Sequence, residues 1–144
     1  MNIKDIGIGL GLGYAYSNWL TIPNDNRIIT LLENWAFRIK AGTAQEITNL
    51  YAKKAVLLGT YSKHIRIGRE QILDYFVGLK QKSGLGCEIL STHVQVEPSL
   101  AIASGEYRFF WDGGEAKARF SFAFRDKGLS QWEIINHHSS VIPD

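Results

Sequence analysis

The chain has 144 residues, 21% of them charged, and a formal net charge of +2; that is one domain's worth, able to bury roughly 68–70% of its unfolded surface without a covalent staple. Charges of both signs are spread along it, which excludes the basic stripe that neutralises a row of nucleic-acid phosphates. A single cysteine, Cys87, excludes an internal disulfide framework and a cysteine-rich metal site and suits a reducing compartment, so Cys87 is expected to pack as a small hydrophobe.

Residues 1–23 read as a glycine-rich arm. Its apolar run from Ile6 to Tyr16 follows Lys4 and has the length of a signal-peptide core, but it lacks a clean small-x-small cleavage site. It is also far short of the ~20 apolar residues that span a bilayer. A cytoplasmic protein without a membrane partner is therefore expected. Gly7, Gly9, Gly11 and Gly13 alternate, yet no strand-turn-helix context follows them, so a dinucleotide loop is rejected and no cofactor is expected. An arm packed on the domain, or on a neighbouring subunit, fits better.

The domain proper is expected over residues 24–144. Asn24 or Asp25 caps a long helix in which Ile28, Leu31, Leu32, Trp35 and Ile39 recur at helical steps, ending at Ala41-Gly42. Thr43 and Glu46 form a capping box for a short second helix with Ile47, Leu50 and Tyr51 as its apolar stripe. A strand at Ala55–Thr60 and an irregular stretch at Tyr61–Ile67 precede a third helix opened by Gly68, with Ile72, Leu73, Phe76 and Leu79 on one face. Residues 83–86, Ser-Gly-Leu-Gly, break it, and alternation then marks a strand from Cys87 to Glu97.

From Leu100 to Ser140 three strand-like runs form an antiparallel meander. A type I′ turn at Asp112-Gly113 pairs Trp111 with Gly114. Counting back puts Phe109 opposite Ala116, Tyr107 opposite Ala118 and Glu106 opposite Arg119. One face then carries Glu106, Arg108, Lys117, Arg119 and Ser121, and the other carries Tyr107, Phe109, Trp111, Phe120, Phe122 and Phe124. The aromatic face is too large to leave in water; it lies either under the helices or against a second subunit. The reading adopted turns the charged face toward a cleft and the aromatic face onto another copy.

The candidate site follows from that choice. Glu106 and Arg119 form its centre, with Arg119 gripping a carboxylate in a fork. Pairing Arg125 with Gln131 brings His137 opposite Arg119, and a one-residue bulge would substitute Asn136 or His138. Neighbouring strand residues point to opposite faces, so His137 and His138 do not serve one site and are not a metal pair. Trp35 and Tyr51 sit at core spacing, with pocket lining as their second role. His64 and His93 read as solvated or packed. No Ser-His-Asp order, nucleophile elbow or zinc-protease motif is present.

The order of elements, together with Gly68, Tyr75-Phe76, Ala118-Arg119, Trp132 and the terminal His-His-Ser-Ser, resembles the nuclear transport factor 2-like superfamily. Within it the chain is similar to the association (hub) domain of calcium/calmodulin-dependent protein kinase II and to stand-alone bacterial SnoaL-like proteins. The resemblance implies an α+β cone with three N-terminal helices on a curved, mostly antiparallel sheet. It also implies a pocket between helix and sheet, and homodimeric or higher assembly through the outer sheet face. Arg119 matches a pocket arginine of the hub domains; Glu106 stands where a second arginine can occur, which favours a mixed or zwitterionic ligand. His137 and His138 fall on the terminal histidine motif. The resemblance also admits cofactor-free isomerases, cyclases and dehydratases, for which the acid-base set would be Glu106 with His137 or His138.

Overall fold

The computed structural model describes Trp19 and residues 23–144; apart from Trp19, the arm expected over residues 1–23 lies outside the described residues. Helix α1 spans Asn24–Ala41 and buries Ile28, Leu31, Leu32, Trp35 and Ile39, the stripe that a 3.6-residue period presents to a core. Pro23 takes the N-cap in place of Asn24 or Asp25, and no side chain caps that end. Asp25 in the first turn and Arg38 and Lys40 in the last complement the helix dipole. The expected capping box between Thr43 and Glu46 forms and starts α2, Ala44–Thr48. Arg38 of α1 also pairs with Glu46, which ties the two helices together.

Strand β1 runs Tyr51–Leu58, earlier than the Ala55–Thr60 expected, so Tyr51 belongs to the sheet rather than to a helical stripe. The stretch after it folds back as the two-residue β2, Arg66–Ile67, paired with Leu57 and Val56. Gly68, at φ +84°, turns the chain into α3, Arg69–Leu79, in a conformation glycine adopts without steric cost. Four long strands follow: β3 Gly86–Val96, β4 Leu100–Trp111, β5 Gly114–Asp126 and β6 Trp132–Val141. The sheet order is β2-β1-β6-β5-β4-β3, antiparallel throughout except between β1 and β6. The C-terminal strand therefore lies inside the sheet.

The β4–β5 register is the one read from the turn: Trp111 pairs with Gly114, Phe109 with Ala116, Tyr107 with Ala118 and Glu106 with Arg119. The two faces separate as expected, but their assignment is the reverse of the reading adopted. Tyr107, Phe109, Phe120, Phe122 and Phe124 are buried in one core with Trp35, Ile28, Leu32 and Ile39 of α1. Glu106, Lys117, Arg119 and Ser121 are exposed. The reason is area: α1 brings its own apolar stripe, and burying it against several aromatic rings outweighs anything the charged face offers a helix. No second subunit is needed to cover the phenylalanines.

The β5–β6 register also differs. Arg125 pairs with Glu133 rather than Gln131, because the turn is wider: Lys127 N–H bonds the Gln131 carbonyl (2.9 Å) and Gln131 N–H bonds the Gly128 carbonyl (3.1 Å). Gly128, Leu129 and Ser130 all take positive φ. The register shifts again between Ala123 and Phe124, so that Phe124 pairs with Ile134 but Ala123 with Asn136, and Arg119 ends opposite Ser140. That bulge at Ile135 inverts the parity of the strand's end and turns His137 inward and His138 outward.

A second bulge, between Ile89 and Ser91, brings the β3 backbone close to β4. A Cβ at Gly105 would lie 2.0 Å from the Ser91 carbonyl oxygen, a backbone atom that moves only with its strand. Gly105→Ala is expected to cost about 1–3 kcal/mol by overpacking, read as a lowered midpoint in urea with unchanged slope. Cys87 is half-buried against the core, and burial pushes its thiol pKa up, in keeping with a packing role. No helix among the described residues is long and apolar enough to cross a membrane.

Candidate functional site

The interior holds one imidazole, that of His137 (2% exposed). It is supplied by β6 and stacks on Phe122 of β5 with centroids 3.7 Å apart, while the Trp35 ring meets it edge-on at 5.3 Å. Both ring nitrogens are engaged. Tyr51 Oη of β1 lies 2.8 Å from Nδ1, and Tyr107 Oη of β4 lies 3.1 Å from Nε2. Trp35 Nε1–H of α1 donates to Tyr51 Oη at 3.0 Å. Four elements thus converge on one side chain.

Trp35 only donates, so Tyr51 accepts from it and keeps its own hydrogen and a second lone pair for Nδ1 of His137. In either neutral tautomer one ring nitrogen of His137 donates and the other accepts, so the imidazole links Tyr51 to Tyr107. Ser139 meets Thr60, hydroxyl to hydroxyl.

The electrostatics follow from burial. Desolvation, helped by the positive charge that His138 carries when protonated, lowers the pKa of His137 to about 3. Burial raises Tyr51 and Tyr107 well above the ordinary tyrosine value, a rise the Trp35 and Ser139 hydrogen bonds partly oppose. The cluster is therefore neutral across the physiological range. No aspartate or glutamate is buried among the described residues.

Of the residues singled out in the sequence, Trp35, Tyr51 and His137 are brought together here. Arg119, Glu106 and His138 are not: all three are exposed on the opposite face of the sheet. Glu106 and Arg119 therefore line no cavity beneath the helices, and Glu106 cannot share an acid-base step with His137 through the sheet. Tyr107 and Phe122 complete the cluster and were legible only as core; the available signal was a phenol on the inner face, which needs a partner when buried. Two further interior polar groups stand apart, and one is the Trp132 indole N–H, buried without a partner. The Asn34 amide, on the α1 residue before Trp35, is buried with neither its donor nor its acceptor paired.

Among the described residues, three helices lie on one face of a curved six-stranded sheet with β6 between β1 and β5, the arrangement of a nuclear transport factor 2-like domain with the cystatin-like fold. The SnoaL-like domain family model matches residues 28–144, and the chain belongs to that family. A structure from Xanthomonas campestris assigned as a calcium/calmodulin-dependent protein kinase II association domain is 31% identical, covers 82% of this chain and 88% of that one, and superposes with a TM-score of 0.73. A nuclear transport factor 2-like protein of unknown function from Pseudomonas putida is 20% identical over 83% of this chain and 87% of that one, TM-score 0.73. One from Parabacteroides distasonis assigned as a ketosteroid isomerase is 18% identical over 81% and 86%, TM-score 0.67. The last two, below a quarter identity, speak for the fold alone. No curated protein matches the chain.

Proposed function

We propose that this SnoaL-like domain is a self-associating binding or scaffold module, dimeric at least, rather than an acid-base enzyme. The observation that carries the reading is the state of His137: both nitrogens are bonded to tyrosines, and burial keeps the ring neutral down to a pKa of about 3. A general base needs a free lone pair and a pKa near the working pH; His137 has neither, and among the described residues no carboxylate is buried to replace it. The unpaired amide of Asn34 is an interior group that a small polar ligand offering both a donor and an acceptor, such as a carboxamide, would satisfy.

The similarity to an association domain supports self-association, and so does the exposed outer face of the sheet, which carries Leu100 and Ile102 at 48% and 44% exposure. Light scattering behind a sizing column at micromolar concentration is expected to give at least twice the 16.2 kDa of one chain. A 16.2 kDa monomer alone would remove the reading. The competing class, a cofactor-free isomerase, cyclase or dehydratase, requires turnover of a small carbonyl substrate with a bell-shaped pH profile that His137→Ala abolishes.

A further inference from the structure

Away from the buried histidine, α1 carries a second ordered set of side chains. Glu33, Phe37 and Lys40 are all exposed, and steps of four and three residues align them in one stripe on the outer side of the helix. Seven rises of 1.5 Å separate Glu33 from Lys40, about 10.5 Å along the axis. Together with the start of β3 and the end of β4, this stripe bounds a groove of about 460 Å³ that Cys87, Ile89 and Phe110 also line. The adjacent Asn34 is buried and does not line it.

The charges on this groove are sorted. On its sheet side Glu88 and Arg108 hold each other, and Glu115 holds Arg108 as well. Glu33 and Lys40, by contrast, have no ion-pair partner among the described residues. A second hollow of about 380 Å³ adjoins at Lys40 and adds Lys80 and Lys82, so the Lys40 end is cationic. The Lys80 ammonium donates to the Ile39 and Lys40 carbonyls (2.8 and 3.2 Å); it serves the open C-terminal turn of α1, and the Lys40 ammonium is not needed there. Between the two unpaired charges stand two aromatic rings. Phe37 is 54% exposed. Phe110 is fixed: its ring lies across Gly86, where a Cβ would come within 2.3 Å of it, and the Arg108 guanidinium sits over it at 4.7 Å.

We infer that this groove binds an extended zwitterion, with an ammonium and a carboxylate about 10 Å apart across an apolar body. Those are the dimensions of a free tripeptide, at roughly 3.3–3.6 Å per residue. The ammonium meets Glu33, the carboxylate meets Lys40, and the middle side chain packs against Phe37 and Phe110. Charge order sets the direction, because the reversed peptide would bring like charges together. A ring already held in place lowers the ordering cost of binding. Either end alone is a partly solvated ion pair of small worth; both ends and an apolar middle together select for length as well as charge. The groove is formed within one chain, so the inference stands whether or not the chain self-associates.

The probe is Ala-Phe-Ala with free termini, titrated into the full chain and followed by amide chemical shifts. A Kd below ~1 mM is expected for a ligand of this size, with the shifts centred on residues 33–40 and 84–89. The N-acetylated and the C-amidated peptide each lack one charge and are expected to bind ~3–5-fold more weakly. These blocked peptides test the charge order on the unaltered chain. Glu33→Gln is expected to erase the penalty for acetylation and keep that for amidation, and Lys40→Gln to do the reverse, which ties each terminus to its residue. Both side chains are exposed, and an unchanged urea midpoint verifies the fold. Phe37→Ser is expected to weaken all three peptides and leave the mass by light scattering unchanged. No saturation at millimolar peptide, shifts centred elsewhere, or equal affinities for free and blocked peptides would overturn the site. A mass that falls on Phe37→Ser would show a second copy seated on the groove, and would overturn it too.

Discussion

Replacing His137 with alanine is expected to destabilise the fold by about 3–5 kcal/mol, the cost of a large buried side chain with two buried tyrosine hydroxyls each losing a partner. The more diagnostic result is the pH dependence. In the folded chain the imidazole has a pKa of about 3; in the unfolded chain it returns to ~6.5. Between those values the unfolded state binds a proton that the folded state does not, so stability rises with pH there. The contribution is complete above about pH 6.5 and is lost as pH falls toward 3, at a limiting slope of about 1.4 kcal/mol per pH unit. Urea unfolding of the parent and of His137→Gln across that window isolates the effect from the carboxylates, which both proteins share. Parallel stability curves would show that His137 is solvated in the folded state.

The second large effect is expected at Trp35. Its indole stacks on Tyr107 (5.7 Å, 14° between planes), meets Phe122 edge-on at 5.1 Å and Phe109 at 6.2 Å, and donates to Tyr51. Trp35→Ala removes the only α1 side chain that bonds the tyrosine-histidine chain and opens a cavity in a close-packed cluster, for about 3–5 kcal/mol. Trp35→Phe keeps most of the ring and loses the donor. Combined with Tyr51→Phe in a double-mutant cycle, it is expected to give a coupling of about 0.5–1.5 kcal/mol, the net worth of one hydrogen bond. A coupling indistinguishable from zero would mean that the indole N–H does not reach Tyr51.

These two side chains explain how an aromatic interior acquires a unique arrangement. Stacked rings alone tolerate exchange of neighbours, because apolar packing is non-directional. A directed chain of hydrogen bonds from α1 through β1 and β6 to β4 is satisfied in one register only, and an alternative packing would strand a buried hydroxyl at about 1–3 kcal/mol. The same bonding that orders the core engages both ring nitrogens of His137 and leaves it no free lone pair.

Much of this was present in the order of residues. The helical spacing of Ile28, Leu31, Leu32, Trp35 and Ile39, the Thr43–Glu46 box and the Asp112-Gly113 turn each act over a few residues, and local sterics decide them. Alternation in β4 and β5 likewise settled which side chains travel together, down to Glu106 opposite Arg119. What required the folded chain was everything set by contacts distant in sequence. Whether the charged or the aromatic face meets the helices depends on apolar area that α1 brings from some eighty residues away. Which of His137 and His138 enters the core depends on a wide turn at Lys127–Gln131 and one bulged residue, Ile135. A bulge carries no composition signature, yet it inverts every side chain beyond it, so the identity of the buried histidine is a property of the sheet and not of the strand.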